Sequence, residues 1–284
     1  MTASLTLHAS DVRVEIECPP FCARALGAVY GPATRAIIPT STTQHWGARV
    51  GPDGWSLIVD GAVVDSGTGG EIDLTTATET RFIQQLAGWH PAACLLHAGL
   101  VELEGVWILF AGDSGRGKSS LTLEVMRRGG RYLTDEFVVT DARTVWAIGR
   151  SPVFDFGHAD APLPPWLVGA DRDSYVFARA DGHRFARPLF AVPPDQWATA
   201  PIAARDVAIV RILGRDEDAV VRMTGAEALA TLLDASLTRE WRQLGPLAAD
   251  RRSFGISWTS PAAAIDALTT ATSHLAPEAR RLAP

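Results

Sequence analysis

The stretch Gly112-Asp113-Ser114-Gly115-Arg116-Gly117-Lys118-Ser119 decides how the rest of this chain is interpreted, because it fits the phosphate-binding pattern G-x-x-x-x-G-K-[ST]. Its three glycines allow a tight backbone turn that brings N–H groups towards phosphate oxygens. In such a loop the lysine reaches the β- and γ-phosphates, and the hydroxyl of the last residue binds Mg²⁺. The predicted nucleotide-binding residues are Gly112, Asp113, Ser114, Gly115, Arg116, Gly117, Lys118, Ser119 and Ser120.

Lys118 is the only lysine among the 26 basic residues of the chain, and the others are all arginine. In a chain with this bias, a position selected for charge alone would be an arginine. A compact ammonium on a flexible stem approaches phosphate differently from a planar guanidinium. The single lysine therefore supports a specific role for this side chain.

The residues around the stretch predict a strand before it and a helix after it. Residues 106–111 form a continuous apolar run, which is typical of a buried strand. Residues 119–128 have an apolar helical face, an i,i+4 pair of Glu124 with Arg128, and a Gly129-Gly130 stop. A glycine-rich turn that binds nothing is the alternative. The order of strand, loop and helix favours phosphate binding, because it points a helix N-terminus at the phosphates.

Composition limits the class of protein. The chain has 284 residues, 47% hydrophobic and 20% charged, which fits a globular protein of one large domain or two unequal ones. Its net charge of −6 argues against a nucleic-acid-binding groove. No apolar run approaches the ~20 residues of a membrane span, and residues 1–10 have no signal-peptide pattern.

The cysteines Cys18, Cys22 and Cys94 cannot all pair with one another, and they indicate a reduced, cytoplasmic protein. Cys18 and Cys22 have the spacing of half a zinc site. No second Cys/His pair with ligand spacing follows them, so we expect no structural metal.

Two domains are predicted, a β-rich N-terminal module over residues 1–90 and a nucleotide-binding domain over residues 91–284. In the first, residues 5–17 alternate partially, Asp60-Gly61 marks a hairpin turn, and residues 78–88 form a helix. The second begins with a hairpin that turns at Glu104-Gly105. It continues with strands at 106–111, 131–134, 137–140 and 207–213, and with helices at 119–128, at 224–237 and from Ser260-Pro261 onwards.

Residues 149–197 are predicted to be irregular, because prolines recur along them among arginines and aromatic residues. Such a long loop is either a lid or substrate-binding surface, or a solvated connection packed by its own aromatic side chains. Residues 277–284 are expected to be disordered. The arginines that we expect to hold a peptide carboxylate bidentately are Arg150, Arg172, Arg179, Arg184 and Arg187.

Asp135 and Glu136 supply the carboxylates that phosphoryl transfer needs besides a phosphate loop. They follow the second of the predicted strands after Gly105, 17 and 18 residues after Lys118. In an extended backbone their side chains diverge, one towards a metal and one towards a substrate. A solvated Asp-Glu turn between strands is the alternative.

Together, His97-Ala98-Gly99-Leu100-Val101, the 112–119 stretch, Leu123-Glu124, Arg128-Gly129 and Asp135-Glu136 resemble the catalytic half of HPr kinase/phosphorylase. That family phosphorylates a serine on a small carrier protein. The resemblance is strong over residues 95–140 and elsewhere extends only to the general layout. It implies an α/β P-loop domain similar to the nucleotide domain of phosphoenolpyruvate carboxykinase, a mixed sheet flanked by helices.

The resemblance also implies roles for individual residues. His97 would lie beside the transferred phosphate, although by itself it would be interpreted as a core histidine. Lys118 and Ser119 would hold the γ-phosphate and the metal. Asp135 would accept the proton of the serine hydroxyl, and Glu136 would replace a second aspartate near Mg²⁺. The implied catalytic residues are thus Asp135, His97 and Lys118, the metal ligands Ser119 and Glu136, and the cofactors ATP and Mg²⁺.

The chain departs from the family pattern in three places. Asp-Glu replaces Asp-Asp, residues 151–154 (Ser-Pro-Val-Phe) stand where a glycine-rich signature is expected, and the N-terminal module differs from the usual partner domain. One branch of the family serves lasso-peptide biosynthesis by phosphorylating the C-terminal serine of a precursor peptide. The short module and the altered downstream segment are compatible with that branch.

The leading hypothesis is an ATP-dependent kinase that acts on a serine hydroxyl of a peptide or small protein. The sequence favours neither nucleic acid nor membrane as a partner, and it leaves a homo-oligomer open. Two alternatives are a kinase of a small-molecule alcohol and a regulatory nucleotide-binding module without catalysis. An open groove would suit a peptide and a closed pocket a metabolite.

Overall fold

The computed structural model describes residues 2–9, 12–30, 41–90, 92–113, 115–152, 173–178, 184–189, 192, 194–197, 201–238, 240–249 and 252–275. The strands are, in chain order, β1 (Ala3–Ala9), β2 (Val12–Cys18), β3 (Thr42–Gly51), β4 (Gly54–Val59), β5 (Ala62–Gly67), β6 (Cys94–Leu103), β7 (Val106–Ala111), β8 (Arg131–Thr134), β9 (Phe137–Thr140), β10 (Thr144–Ala147), β11 (Asp173–Ala178), β12 (Arg184–Leu189), β13 (Ile202–Ala203), β14 (Val207–Gly214), β15 (Ala219–Arg222) and β16 (Ser253–Ser257). The α-helices are α1 (Pro20–Val29), α2 (Glu71–Trp89), α3 (Lys118–Arg127), α4 (Gly225–Ala235), α5 (Leu244–Ala249) and α6 (Pro261–Thr272).

The chain forms a mixed α/β structure that divides into two compact units. The first combines Met1–Trp89 with Ile148–Ala191, and the second combines His90–Ala147 with Val192–Pro284. The sequence prediction instead assigned residues 91–284 to one domain. No helix in the described part of the chain is long and apolar enough to cross a membrane.

The first unit contains a sheet with the strand order β1-β2-β3-β4-β5, in which only β2 and β3 pair in parallel. The predicted hairpin turn is present, with φ angles of 47° at Asp60 and 84° at Gly61. Both values lie in the left-handed region that the tightest hairpin turns require. Helices α1 and α2 pack against the sheet, and Phe82 of α2 makes edge-to-face contacts with Tyr30, Trp46 and Trp89.

Several predictions for this unit differ from the structure. The partial alternation over residues 5–17 corresponds to two antiparallel strands, β1 and β2. Helix α1 was not predicted, and α2 starts at Glu71, well before residue 78. Threonines lower helix propensity, which obscured the first turns of α2, but their hydroxyls bond the carbonyl oxygens four residues earlier.

The prediction of an irregular segment over residues 149–197 is wrong where β11 and β12 pair antiparallel. Most of the remainder of that segment lies outside the described residues, as do residues 277–284.

The second unit is built on a mixed sheet in the order β13-β10-β9-β6-β7-β14-β16-β15, with β8 also paired to β6. Alternate residues of β7 face two separate cores. Ile108 and Phe110 pack with α3 and α6, whereas Leu109 and Ala111 pack with α4 and α5. Helices therefore cover both faces of this sheet.

The predicted elements around the 112–119 loop are confirmed. Strand β7 covers the apolar run, and the hairpin before it turns at Glu104 and Gly105, both with positive φ. Helix α3 ends where expected, with Gly129 at φ 81° and the N–H of Gly130 bonded to the carbonyl of Val125. Ser260 caps α6, since its hydroxyl accepts from the N–H of Ala263 at 3.2 Å.

Candidate functional site

The 112–119 loop lies at the edge of the sheet where three parallel strands end. Strand β14 pairs in parallel with β7 on one side and with β16 on the other. The carboxyl ends of these strands therefore meet at one edge, which is where ligands bind in open α/β sheets. The segments that follow β7, β14 and β16 all begin there.

Backbone geometry fixes the second half of the loop. Gly115 and Gly117 have φ angles of 79° and 105°, and Gly117 caps the N-terminus of α3. A Cβ atom on Gly117 would lie 2.4 Å from the ring of Trp258 and 2.8 Å from the guanidinium of Arg215. Glycine is thus required at position 117 both for its φ angle and for space.

Lys118 lies underneath the loop and is only 6% exposed. Its ammonium donates to the carbonyl oxygens of Gly112, at 2.8 Å, and Asp113, at 3.3 Å. Burial lowers the pKa of Lys118, and the carboxylates of Glu136, Asp113 and Asp135 oppose that shift. The ammonium is therefore bound by two neutral carbonyl groups, and three carboxylates nearby favour its charged form.

Asp135 is buried against the first turn of α3, at 5% exposure. One carboxylate oxygen accepts from the Ser119 hydroxyl at 3.2 Å, and the other accepts from the Tyr132 hydroxyl at 3.1 Å. The alternative of a solvated Asp-Glu turn is therefore wrong for Asp135. Gly99 leaves room for α3 beside β6, because a Cβ there would lie 3.1 Å from the Thr122 hydroxyl, closer than an ordinary contact.

His97 and Glu136 complete the group of charged and titratable side chains. His97 lies on β6, opposite Phe137 of β9, and the N–H of Ala98 donates to the carbonyl of Glu136 at 3.1 Å. Burial and the charge of Lys118 lower the pKa of His97, while Glu136 opposes the shift. The net effect favours the neutral form of His97.

The fold thus brings together His97, Lys118, Ser119, Asp135 and Glu136, as the sequence analysis predicted. Whether they act in the predicted roles stays a prediction. Of the other loop residues, Asp113 and Arg116 are exposed and form a long ion pair of 3.7 Å. Ser120 is half-buried in the first turn of α3, and Ser114 lies outside the described residues.

A cleft of about 290 Å³ opens beside the loop. His97, Gly112 and Asp113 line the side nearest the lysine. The remaining lining residues come from the loop, from β14, from α4 and from just beyond α4: Arg116, Arg211, Ile212, Leu213, Thr231, Asp234, Ala235 and Leu237. Arg211 and Asp234 are 3.8 Å apart across this surface. The cleft is therefore continuous with the site and combines charged and apolar groups.

Sequence reasoning missed three residues that contact the site. Tyr132 bonds Asp135, while Arg215 and Trp258 flank Gly117. None of them belongs to the phosphate-binding pattern. The available signal was positional, because Arg215 and Trp258 directly follow strands that end at the same edge of the sheet.

Arg150 is not available to hold a peptide carboxylate, contrary to the sequence prediction. It is 7% exposed, lies in the first unit and donates to Glu79 at 3.1 Å, and Glu79 also accepts from the Tyr30 hydroxyl. Arg184 and Arg187 lie on β12. Arg172 and Arg179 lie outside the described residues.

Within the described ranges, no three His, Cys, Asp or Glu side chains cluster as a metal site, and the three cysteines are buried free thiols. A magnesium site of the kind predicted needs fewer protein ligands, because phosphate oxygens and water supply the others.

Comparison with known proteins identifies related sequences. HPr kinase/phosphorylases of Clostridium perfringens (strain SM101) and Clostridium beijerinckii are each 44% identical over 62 residues, which is 22% of this chain and 20% of theirs. The enzyme of Limosilactobacillus reuteri (strain DSM 20016) is 50% identical over 48 residues, 17% of this chain and 15% of its own. The matches span about a fifth or less of these relatives, and no family model matches the chain.

Among solved structures, the Hpr(Ser) kinase/phosphatase from Coxiella burnetii aligns with 64% of this chain and 92% of its own. The TM-score of 0.30 and the identity of 11% are too low for that alignment to bear on fold or function. The sequence matches carry the relationship instead. They confirm that this chain, through a segment of 62 residues, is related to the HPr kinase/phosphorylase family.

Proposed function

We propose that this protein is a kinase that uses ATP and Mg²⁺ to phosphorylate a serine hydroxyl of a peptide or small protein. The observation that carries the proposal is the hydrogen bond from Ser119 to Asp135, at 3.2 Å. It joins the predicted phosphate loop to the predicted catalytic carboxylates. The relatives named HPr kinase/phosphorylase support the same class of reaction.

In the proposed complex, residues 112–120 form a P-loop that binds the phosphates of ATP. The N-terminus of α3 supplies backbone N–H groups and a favourable dipole. The Lys118 ammonium exchanges the carbonyl oxygens of Gly112 and Asp113 for phosphate oxygens. This exchange is favourable because an anion compensates the positive charge better than neutral carbonyl groups do.

The donor set near Ser119 suits Mg²⁺, which prefers oxygen ligands and usually takes one or two carboxylates besides phosphate and water. When bound, Mg²⁺ would neutralise charge on the phosphate oxygens. The family resemblance assigns Glu136 to this metal and Asp135 to the proton of the acceptor. The bond between Ser119 and Asp135 supports the converse assignment, with Asp135 at the metal and Glu136, whose charge acts on Lys118 and His97, nearer the transferred group.

The cleft beside the loop is the proposed acceptor site. The Lys118 ammonium, which reaches the β- and γ-phosphates in such loops, bonds Gly112 and Asp113, and both residues also line the cleft. The transferred phosphoryl group would therefore emerge on this side. A volume of about 290 Å³ is just below the ~300–1,000 Å³ of ligand sites, which suits the end of a chain better than a bulky metabolite.

We propose that the acceptor is the C-terminal serine of a lasso-peptide precursor. Arg116 and Arg211 line the cleft and form long, partly exposed ion pairs with Asp113, at 3.7 Å, and Asp234, at 3.8 Å. Because such pairs are weak, a terminal carboxylate next to the serine would compete for these guanidinium groups. The buried free thiols of all three cysteines fit the proposed cytoplasmic location.

The test is to incubate the protein with ATP, Mg²⁺ and candidate peptides that end in serine, and to measure the mass of each peptide. We expect a gain of one phosphate group on the peptide and none when its terminal serine is replaced by alanine, because the serine hydroxyl is the nucleophile. The Asp135→Asn variant is the matched enzyme control. Phosphorylation of small alcohols alone would replace this proposal by the metabolite kinase. ATP binding with no transfer to any acceptor would favour the regulatory module.

A further inference from the structure

Arg215 donates hydrogen bonds to the backbone of the phosphate loop, although it belongs to no recognised motif. It directly follows β14, and Trp258 directly follows the neighbouring parallel strand β16. The N–H of Trp258 donates to the carbonyl of Gly214 at 3.2 Å, which ties the two strand ends together. Arg215 and Trp258 are therefore placed by the sheet itself, at the edge where the loop begins.

The guanidinium of Arg215 makes two hydrogen bonds to consecutive carbonyl groups of the loop. Its Nη2 donates to Gly115 at 3.0 Å, and its Nε donates to Arg116 at 3.3 Å. The same guanidinium lies over the ring of Trp258, 4.8 Å from its centroid. Trp258 is 4% exposed, so Arg215 stacks on a buried ring.

These two bonds fix the orientation of two peptide planes. In a trans peptide the C=O and the following N–H point in opposite directions. The N–H of Arg116 donates to the carbonyl of Asp113 at 3.3 Å. Because the carbonyl of Arg116 faces Arg215, the N–H of Gly117 faces the other side of the loop. That is the direction a phosphate-binding loop requires.

The loop needs such support, because Gly115 and Arg116 are exposed and glycine backbones lose much conformational entropy when they are ordered. We infer that Arg215, backed by Trp258, is a positioning residue that holds residues 115–117 in the phosphate-accepting conformation. The inference rests on the proposed function only for the identity of the anion. Arg215 acts through the loop backbone and need not touch the ligand.

The experiment compares Arg215→Gln with the parent protein and with Arg222→Gln. Arg222 is a matched control, since it also stacks on an aromatic ring, Phe254 at 5.2 Å, but bonds His274 instead of the loop. Calorimetric titration with MgATP should give a dissociation constant raised about tenfold or more by Arg215→Gln, because preorganisation of the site is lost. Arg222→Gln should stay within about twofold of the parent, and Arg215→Lys, which keeps the charge without the planar fork, should resemble Arg215→Gln.

Hydrogen exchange of the amides of residues 116–118, measured without ligand, separates this inference from the proposed function. Arg215→Gln should accelerate their exchange while the melting temperature stays near that of the parent, and Arg222→Gln should leave exchange unchanged. Faster exchange together with no MgATP binding by any protein, the parent included, would support the positioning role and contradict the nucleotide-dependent function. Unchanged exchange, or unchanged MgATP affinity in Arg215→Gln beside a parent that binds, would overturn the inference.

Discussion

Each of the two units buries a group of charged side chains, but the buried cation has a different kind of hydrogen-bond acceptor in each unit. In the first unit, Arg150 and the Tyr30 hydroxyl both donate to the Glu79 carboxylate, so opposite charges meet directly. In the second, within the part of the chain that the structure describes, the Lys118 ammonium donates to two neutral carbonyl groups. The charge of a buried cation paired with a carboxylate is already compensated, whereas a cation held by carbonyl groups keeps a net charge that an anion could compensate. We therefore expect the first group to serve the fold and the second to serve the proposed site.

Breaking the pair in the first unit should have the largest effect on stability. Arg150→Met leaves the Glu79 carboxylate buried without its cation, which typically costs about 3–5 kcal/mol. Chemical denaturation should show this loss, whereas the exposed control Arg49→Met should stay close to the parent. Replacing both members, with Glu79→Met added, should recover part of the stability. A single Arg150→Met variant as stable as the parent would show that this pair is not structural.

Removing the cation of the second unit should instead reduce catalysis. Lys118→Ala is expected to lower phosphoryl transfer about 10²–10³-fold, as the loss of other electrostatic stabilisers does. Lys118→Arg should be nearly as damaging, because a planar guanidinium does not replace a compact ammonium at this position. Turnover of radiolabelled ATP measures the effect, and thermal melting should show that both variants are folded. Activity of Lys118→Arg within a few-fold of the parent would show that position 118 does not require a lysine.

Substitutions of Asp135 and of Glu136 in the second unit should change the Mg²⁺ dependence of activity differently. If the family assignment holds, Asp135→Asn keeps nucleotide binding but loses about 10²-fold in rate, because an amide accepts no proton. Glu136→Gln then raises the Mg²⁺ concentration needed for half-maximal activity. If Asp135→Asn instead has the higher Mg²⁺ requirement, the result would support Asp135 as the metal ligand, as the hydrogen bond from Ser119 suggests. Equal Mg²⁺ dependence in both variants would contradict any division of roles.

The smallest expected effect concerns pH. Burial lowers the pKa of His97 in the second unit and of His8 in the first, below the usual value of 6.5. Below about pH 6.5 the unfolded chain therefore binds protons more readily than the folded protein, so stability falls as the pH drops. His97→Gln and His8→Gln should each flatten the decrease in melting temperature between pH 7.5 and 5.5. If the melting temperature of a variant falls with pH as steeply as that of the parent, the substituted histidine does not contribute to the pH dependence of stability.

Sequence patterns predicted the elements around the loop well, because their signals are local. The apolar run of β7, the glycine stop after α3 and the cap at Ser260 each depend on residues close in sequence. Helix α1 was missed, and α2 was predicted too short because its threonines weaken the helical signal. Strands β11 and β12 were hidden by the proline-rich pattern of the segment around them.

The sequence by itself determined the loop, its single lysine, the adjacent pair Asp135-Glu136 and the relationship to a kinase family. These are statements about residue identity and short spacing, which do not depend on long-range contacts. Only the tertiary structure decided that Arg150 is engaged by Glu79, that Ser119 bonds Asp135, and that Arg215 and Trp258 flank the loop. These contacts join residues 16 positions apart, as in Ser119 and Asp135, to 141 positions apart, as in Gly117 and Trp258. The pairing of parallel strands, which no local pattern encodes, brings the ends of β7, β14 and β16 to one edge.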